Sequence, residues 1–318
     1  MIDVSLLKNR TTVRSNSMVR LTRAALQTAF LVSEDLGASL AERLFTTPRR
    51  HRRPERERAV LASGRPLVFD VALRSPHWHG ARLRLHGWRW GIGPTVLLVH
   101  GWEGRGSQLG AFVEPLVNAG MSVVAFDAPG HGDSPGHRLY LTDLADCIAD
   151  VADSIGPVRA IIAHSFGAAA VLLAHARHGT DPARNVMIAP NVIVDAAVSA
   201  FAKHVALDDH DRALFETQLT AHAGLGMEGL ELERLVCARD AGMLVVHDAG
   251  DREVQLAQGQ ALARAWPGAQ LTTTEGLGHR RILRDPAVIE QAVEFIRQGL
   301  PAPASDLVRE VDRQLDHR

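Results

Sequence analysis

The chain reads Val158-Arg159-Ala160-Ile161-Ile162, then Ala163-His164-Ser165-Phe166-Gly167, then a helical run from Ala168 to Arg177. A mostly apolar run, a five-residue turn and a helix follow one another without a gap, which places a serine at the apex of a strand-to-helix turn. A serine there is held on a strained backbone with its hydroxyl above the sheet, and the positions two before and two after it must be small to avoid collision. Gly167 meets that requirement. Ala163 stands where glycine is usual and, as the next smallest side chain, leaves the geometry intact. The spacing is that of a nucleophile elbow.

A serine hydroxyl is a poor nucleophile until a base takes its proton and a third group orients that base. Both partners have candidates downstream. The strand-like run from Met243 to His247 is followed by Asp248-Ala249-Gly250-Asp251-Arg252, and the run from Leu271 to Glu275 by Gly276-Leu277-Gly278-His279. The chain order is therefore serine, acid, histidine, the order of one hydrolase fold among several that use this chemistry.

On these residues the chain resembles the α/β-hydrolase superfamily, specifically its bacterial esterase and lipase-like members, over roughly residues 67 to 299. A small group of true lipases also carries alanine at the first elbow position. A fourth element, Val96-Leu97-Leu98-Val99-His100-Gly101-Trp102, stands where that family places its oxyanion loop. The resemblance implies Ser165 as nucleophile and His279 as base, with the backbone N–H groups of Trp102 and Phe166 facing the acyl oxygen. Such donors lower the barrier because the charge they meet develops only in the transition state. For the acid the family spacing favours Asp251, with Asp248 as the alternative and Asp195 as an outside candidate, since some relatives supply the acid there.

Composition narrows the classes further. With 318 residues, 46% hydrophobic, and a formal net charge of −1, the chain has an ordinary globular composition and no global basic field for nucleic acid. The only lysines are Lys8 and Lys203. Cys147 and Cys237 lie far apart without metal-ligand spacing and read as small buried thiols of a reducing compartment, although a disulfide between them stays open. The first 18 residues have no apolar signal region, and no apolar run approaches the length of a membrane span, so a cytoplasmic, non-spanning protein is the expectation.

Residues 1 to 66 read as an amphipathic helix and an arginine-rich linker. Leu26, Ala29, Phe30, Leu40, Ala41 and Leu44 share one face of a helix over 19–45, with Ser33 and Gly37 completing the stripe and Pro48 stopping it. The mixed charge run Arg49-Arg50-His51-Arg52-Arg53-Pro54-Glu55-Arg56-Glu57-Arg58 follows. Peripheral contact with an anionic membrane is one reading of this leader. The preferred reading is a helix packed on the catalytic domain with a solvated linker.

Eight strands are expected over 67–73, 82–90, 95–99, 122–126, 158–162, 185–189, 243–247 and 271–275. The first two form an antiparallel edge with a bulge at Gly87, and the others are apolar runs of a mostly parallel sheet flanked by helices. Helices are expected over 108–118, 142–154, 168–177, 255–265 and 286–298. About 50 residues from Asn191 to Asp240 are too long for an ordinary connection and read as a helical cap over the serine. Residues 300 to 318 form a polar tail.

The functional expectation is a serine hydrolase acting on a small-molecule ester with an apolar acyl or alcohol group through an acyl-enzyme, with no cofactor. Acyl transfer and thioester cleavage use the same triad, and a non-enzymatic binding protein on this fold is a further alternative. A nicotinamide-dependent dehydrogenase is disfavoured: Gly101, Gly104 and Gly106 follow a strand, but their spacing reverses the usual fingerprint. The tyrosine and lysine of short-chain reductases are missing from one helix, since Tyr140 is the only tyrosine. An aspartate nucleophile, as in epoxide hydrolases and dehalogenases, is disfavoured because the elbow apex is Ser165. His131, His137 and the cluster Asp208, Asp209, His210 and Asp211 lack metal-ligand spacing, so no metal is expected. Asp127 is expected to brace the loop from Ala128 to Ser134. Glu103 and Arg280, on loops that rise from the same sheet edge, are expected to form an ion pair that supports the oxyanion loop or contacts substrate.

Overall fold

The computed structural model describes residues 4–180, 182–236 and 241–298. The expected tail over 300–318 and Cys237 lie outside the described residues; Cys147 is a free, buried thiol. One eight-stranded sheet runs through the molecule: β1 (Arg65–Ala72), β2 (Arg82–Trp90), β3 (Thr95–Val99), β4 (Ser122–Phe126), β5 (Val158–His164), β6 (Arg184–Ile188), β7 (Gly242–Asp248) and β8 (Gln270–Thr274), in the order β1-β2-β4-β3-β5-β6-β7-β8. β1 pairs antiparallel with β2 and β2 with β4, and every later pairing is parallel. β3 and β4 are buried at every position, which is why their sequences show no alternation.

The bulge expected at Gly87 is absent: β1 and β2 stay in register from Arg65 opposite Arg89 to Ala72 opposite Arg82. Glycine is needed there for space. A Cβ at residue 87 would overlap the Phe69 ring and lie 2.9 Å from the Ala125 carbonyl.

The leader is more ordered than a helix and a linker. Two helices, α1 (Val4–Val32) and α2 (Glu34–Thr46), replace the single one expected over 19–45, because Ser33 takes an extended backbone between them. The charge run then enters α3 (Glu55–Ala62). Leu26 and Ala41 pack with Tyr140, Val198 and Phe215 in a small core of their own. Glu42 of α2 is buried in it and accepts hydrogen bonds from the Tyr140 hydroxyl at 2.7 Å and Gln218 Nε2 at 3.0 Å, with His222 Nδ1 at 2.6 Å. Burying a carboxylate is costly unless it is satisfied, so this site ties leader, main domain and cap to one another. Among the described residues no helix is long and apolar enough to cross a membrane.

After β3 a 3₁₀ segment over Gly106–Phe112 leads into α4 (Val113–Asn118), where one helix was expected. Then come α5 (Leu141–Ile155), α6 (Phe166–His178), the cap helices α7 (Val194–Val205), α8 (Asp209–Ala223) and α9 (Leu232–Leu235), α10 (Leu256–Ala265), the short α11 (Gly278–Arg281) and α12 (Pro286–Arg297). Alternate strand residues face opposite layers. Leu97, Val99 and Ile161 pack toward Leu144, Leu172 and Leu262 of α5, α6 and α10, whereas Val96, Leu98 and Ile162 pack toward Leu116 and Ile296 of α4 and α12. The loops at the carboxyl ends of β3, β5, β7 and β8 therefore emerge along one edge, above a rigid base.

Candidate active site

β5 ends at His164 and α6 begins at Phe166, so Ser165 alone makes the turn, with φ 54° and ψ −122°. This left-handed backbone strains any residue but glycine, and neighbours hold it in place. The Ser165 N–H donates to Ile188 O at 3.0 Å, and the Ser165 carbonyl accepts from Ala168 at 2.9 Å. Close approach on both sides explains the small residues. A Cβ at Gly167 would lie 2.5 Å from the His100 carbonyl, and one at Gly101 would lie 2.9 Å from Ser165 Cβ.

His279 Nε2 lies 3.0 Å from Ser165 Oγ, and His279 Nδ1 lies 2.7 Å from Asp251 Oδ2. All three residues are buried, with 9% or less of their surface exposed. The other Asp251 oxygen accepts the N–H groups of Glu253 at 2.8 Å and Val254 at 3.0 Å. Burial by itself would raise the Asp251 carboxyl, but the nearby His247 ring and hydrogen bonds from His279 and the Val254 N–H hold it well below the usual carboxylate range. It is a fixed negative charge beside the imidazole.

Asp248 has a different environment. Its Oδ1 accepts the Gly250 N–H at 3.0 Å, and its Oδ2 accepts the Thr274 hydroxyl and the Leu277 N–H, each at 2.9 Å. It lowers its own loop onto the loop that carries His279. Asp195, in the first turn of α7, is exposed and pairs with Arg212 at 3.1 Å.

Trp102 and Phe166 meet across the serine with their rings 5.6 Å apart, edge to face. Phe166 is the first residue of α6, so its N–H has no intrahelical acceptor. The Trp102 turn is set by two histidines. His100 Nδ1 donates to Gly101 O at 2.8 Å, while its Nε2 accepts the Ala128 N–H at 2.9 Å; His131 Nδ1 donates to Pro129 O at 2.9 Å and its Nε2 accepts the Glu103 N–H at 3.1 Å. Both roles require neutral rings, and burial pushes His100 down to about 4 and His131 to about 3. Asp127 braces the adjoining loop by accepting the Gly106 and Asp133 N–H groups, each at 2.8 Å. Among the described residues no group of three or more histidine, cysteine or acidic side chains could hold a metal ion.

The ion pair expected between Glu103 and Arg280 does not form. Glu103 receives Arg49 Nε at 2.8 Å and lies 3.3 Å from His51 Nε2, both from the leader, whereas Arg280 reaches Glu253 at 3.0 Å on the acid loop. The charge run read as a solvated linker crosses the carboxyl edge and takes Glu103 first. It continues with Arg53 on Asp127 and Asp133, and Glu57 accepts Arg105 Nε at 2.5 Å and Nη2 at 2.9 Å, with the Ser107 hydroxyl at 2.7 Å. No local pattern in that run reveals which distant carboxylate each arginine meets. His164 and His247 also have roles with no sequence signal: His164 Nε2 bonds His279 O at 3.0 Å, and His247 Nε2 lies 3.6 Å from Asp251 Oδ2.

Two chambers adjoin, and the serine lines the first of them. A polar one of about 730 Å³ includes Ser165, His279, Glu103 and Arg280 in its wall. An apolar one of about 310 Å³ lies beneath the cap, walled by Phe45, Phe166, Phe201, Leu225 and Met227. Trp102 and Asn191 belong to both.

Residues 93–293 match the family profile described as serine aminopeptidase, S33. A non-heme chloroperoxidase of Kitasatospora aureofaciens is 30% identical over 105 residues, which cover 31% of this chain and 37% of that protein. A monoacylglycerol lipase of Mycolicibacterium smegmatis is 28% identical over 113 residues, covering 33% of this chain and 40% of the lipase. These matches thus span well under half of either relative's length. Among solved structures, an esterase of Pyrococcus furiosus shares the fold with a TM-score of 0.58 at 16% identity, covering 80% of this chain and 97% of the esterase.

Proposed function

This chain belongs to the serine aminopeptidase S33 family of the α/β-hydrolase superfamily, and from that premise we propose that it is a serine hydrolase that cleaves carboxylic esters through an acyl-enzyme. The observation that carries the reading is the unbroken relay from Ser165 Oγ to His279 Nε2 at 3.0 Å and from His279 Nδ1 to Asp251 at 2.7 Å. In this proposal Ser165 Oγ attacks the acyl carbon while His279 takes its proton. Asp251 stabilises the imidazolium, and the N–H groups of Trp102 and Phe166 meet the oxyanion. The tetrahedral intermediate collapses as His279 returns the proton to the leaving oxygen, and water then repeats the sequence on the acyl-enzyme.

The apolar chamber receives the acyl chain. Its volume of about 310 Å³ corresponds to roughly ten water-sized volumes, room for a chain of medium length. The same relay serves thioester cleavage or acyl transfer when the acceptor is not water. Cleavage of peptides from a free amino terminus would call for an unmatched carboxylate to hold the ammonium. The carboxylates of the polar chamber, Glu57, Glu103 and Glu253, each already face an arginine.

Labelling by a fluorophosphonate and turnover of p-nitrophenyl octanoate test the reading. Ser165→Ala should abolish labelling and lower kcat by about 10⁴ or more. A folded Ser165→Ala protein with undiminished turnover would overturn it.

A further inference from the structure

We propose that the polar chamber is a leaving-group subsite for a phosphate, held by Arg56 of α3 and Arg284 behind the His279 loop. The inference rests on the ester-hydrolase reading and adds the class of alcohol or thiol that departs. The apolar chamber takes the acyl chain, and Ser165 and His279 open into the polar chamber, so the group protonated by His279 leaves through the polar side.

That side carries excess positive charge. Arg105 pairs with Glu57, Arg49 with Glu103 and Arg280 with Glu253. Arg56 and Arg284 line the same chamber, both exposed, and have no carboxylate partner among the described residues. Arg56 occupies the first turn of α3, where a cation opposes the helix dipole, so its own helix does not call for it; Arg284 closes the 3₁₀ turn Ile282–Arg284 and directly precedes the Asp285 cap of α12. Two guanidinium groups brought from separate elements suit an anion with three outward oxygens, since each arginine can take two acceptors with one oxygen shared between them.

The chemistry balances without a further reactant. The bond from Ser165 Oγ to the acyl carbon forms as the bond from that carbon to the leaving oxygen or sulfur breaks. The Ser165 proton passes through His279 to the leaving atom, and water releases the carboxylic acid. The products are a medium-chain carboxylic acid and a phosphorylated alcohol or thiol.

Three substrates of one chain length separate the possibilities: octanoyl glycerol 3-phosphate, octanoyl glycerol and the octanoyl thioester of coenzyme A. At least one phosphate-bearing substrate should exceed the neutral ester tenfold or more in kcat/KM, and which one does identifies the scaffold. In Arg56→Gln/Arg284→Gln that ratio should fall at least tenfold, mainly through KM, and inorganic phosphate should compete with the phosphate-bearing substrate in the unaltered protein. Equal kcat/KM for all three substrates, or a ratio unchanged in the double variant, would overturn the subsite while leaving the hydrolase reading in place. Absence of fluorophosphonate labelling together with no turnover of any ester would instead remove the reading on which it rests.

Discussion

The Leu277 N–H donates to Asp248 Oδ2 at 2.9 Å, so the carboxylate that ends β7 binds the backbone that carries the histidine and leaves the imidazole to Asp251. Two acids three residues apart thus divide the work of orientation: Asp248 fixes the loop and Asp251 fixes the ring. Asp251→Asn should lower kcat by about 10⁴, the cost of a wrong histidine tautomer where it is known. Asp248→Asn replaces one acceptor oxygen by an NH₂ group facing donors, which should cost about 1–3 kcal/mol of stability and far less activity. Urea denaturation and ester kinetics on both variants check the division, and the reverse ranking in kcat would exchange the two roles.

The relay was legible in the sequence because each member follows a strand-like run by a short interval. That interval is set by the sheet, whose register puts the ends of β5, β7 and β8 on one edge. All eight strands fall within two residues of their expected limits for the same reason. What sets Glu103 apart from Arg280 is not periodic. Arg49 lies 54 positions from its partner and Glu57 48 from Arg105, and such pairings depend on how the leader drapes over the sheet edge. The break at Ser33 was hidden because the apolar stripe continues on both sides of it, and residues from both helices, Leu26 and Ala41, reach the same small core with the cap.

The buried histidines give a prediction for acid stability. His100, His131 and His164 are pushed down to about 4, 3 and 3 chiefly by burial, so in the folded chain they stay neutral where the unfolded chain, near 6.5, takes up protons. Their contribution is complete above pH 6.5 and is lost as pH falls toward the folded values. Asp143, raised to about 6 by burial, opposes one of them. Each group out of balance is worth about 1.4 kcal/mol per pH unit. Urea midpoints should therefore fall steeply between pH 6 and pH 4, well before ordinary carboxylates titrate. A flat profile across that range would show that these rings are not held neutral.

Glu57 and Arg105 form a pair with less than a tenth of either side chain exposed. Removing one charge from a buried pair leaves the other uncompensated, at a typical cost of about 3–5 kcal/mol. Glu57→Gln should lower stability by an amount of that order, and because Arg105 immediately precedes the Gly106 N–H held by Asp127, it should also lower kcat. Thermal unfolding and ester kinetics together check this. A neutral result would mean that the leader rests on the sheet edge without supporting it.

The wall of the apolar chamber makes the last expectation specific to chain length. Leu225 stands on the cap between α8 and the segment over Met227–Leu230, partly buried and facing the chamber shared with Phe166 and Phe201. It lies outside the regular helices, so a larger side chain there can be tolerated with less backbone strain than one on α6, where Ala169 is fully packed. Leu225→Trp fills part of the volume in which an acyl chain would lie and leaves the serine relay untouched. Turnover of p-nitrophenyl acetate and butyrate should persist, while kcat/KM for octanoate and longer chains should fall by about tenfold, the loss expected when one or two methylenes no longer fit an apolar pocket. A uniform loss across all chain lengths would point to damage at the relay, and no change at any length would mean that the acyl group lies elsewhere.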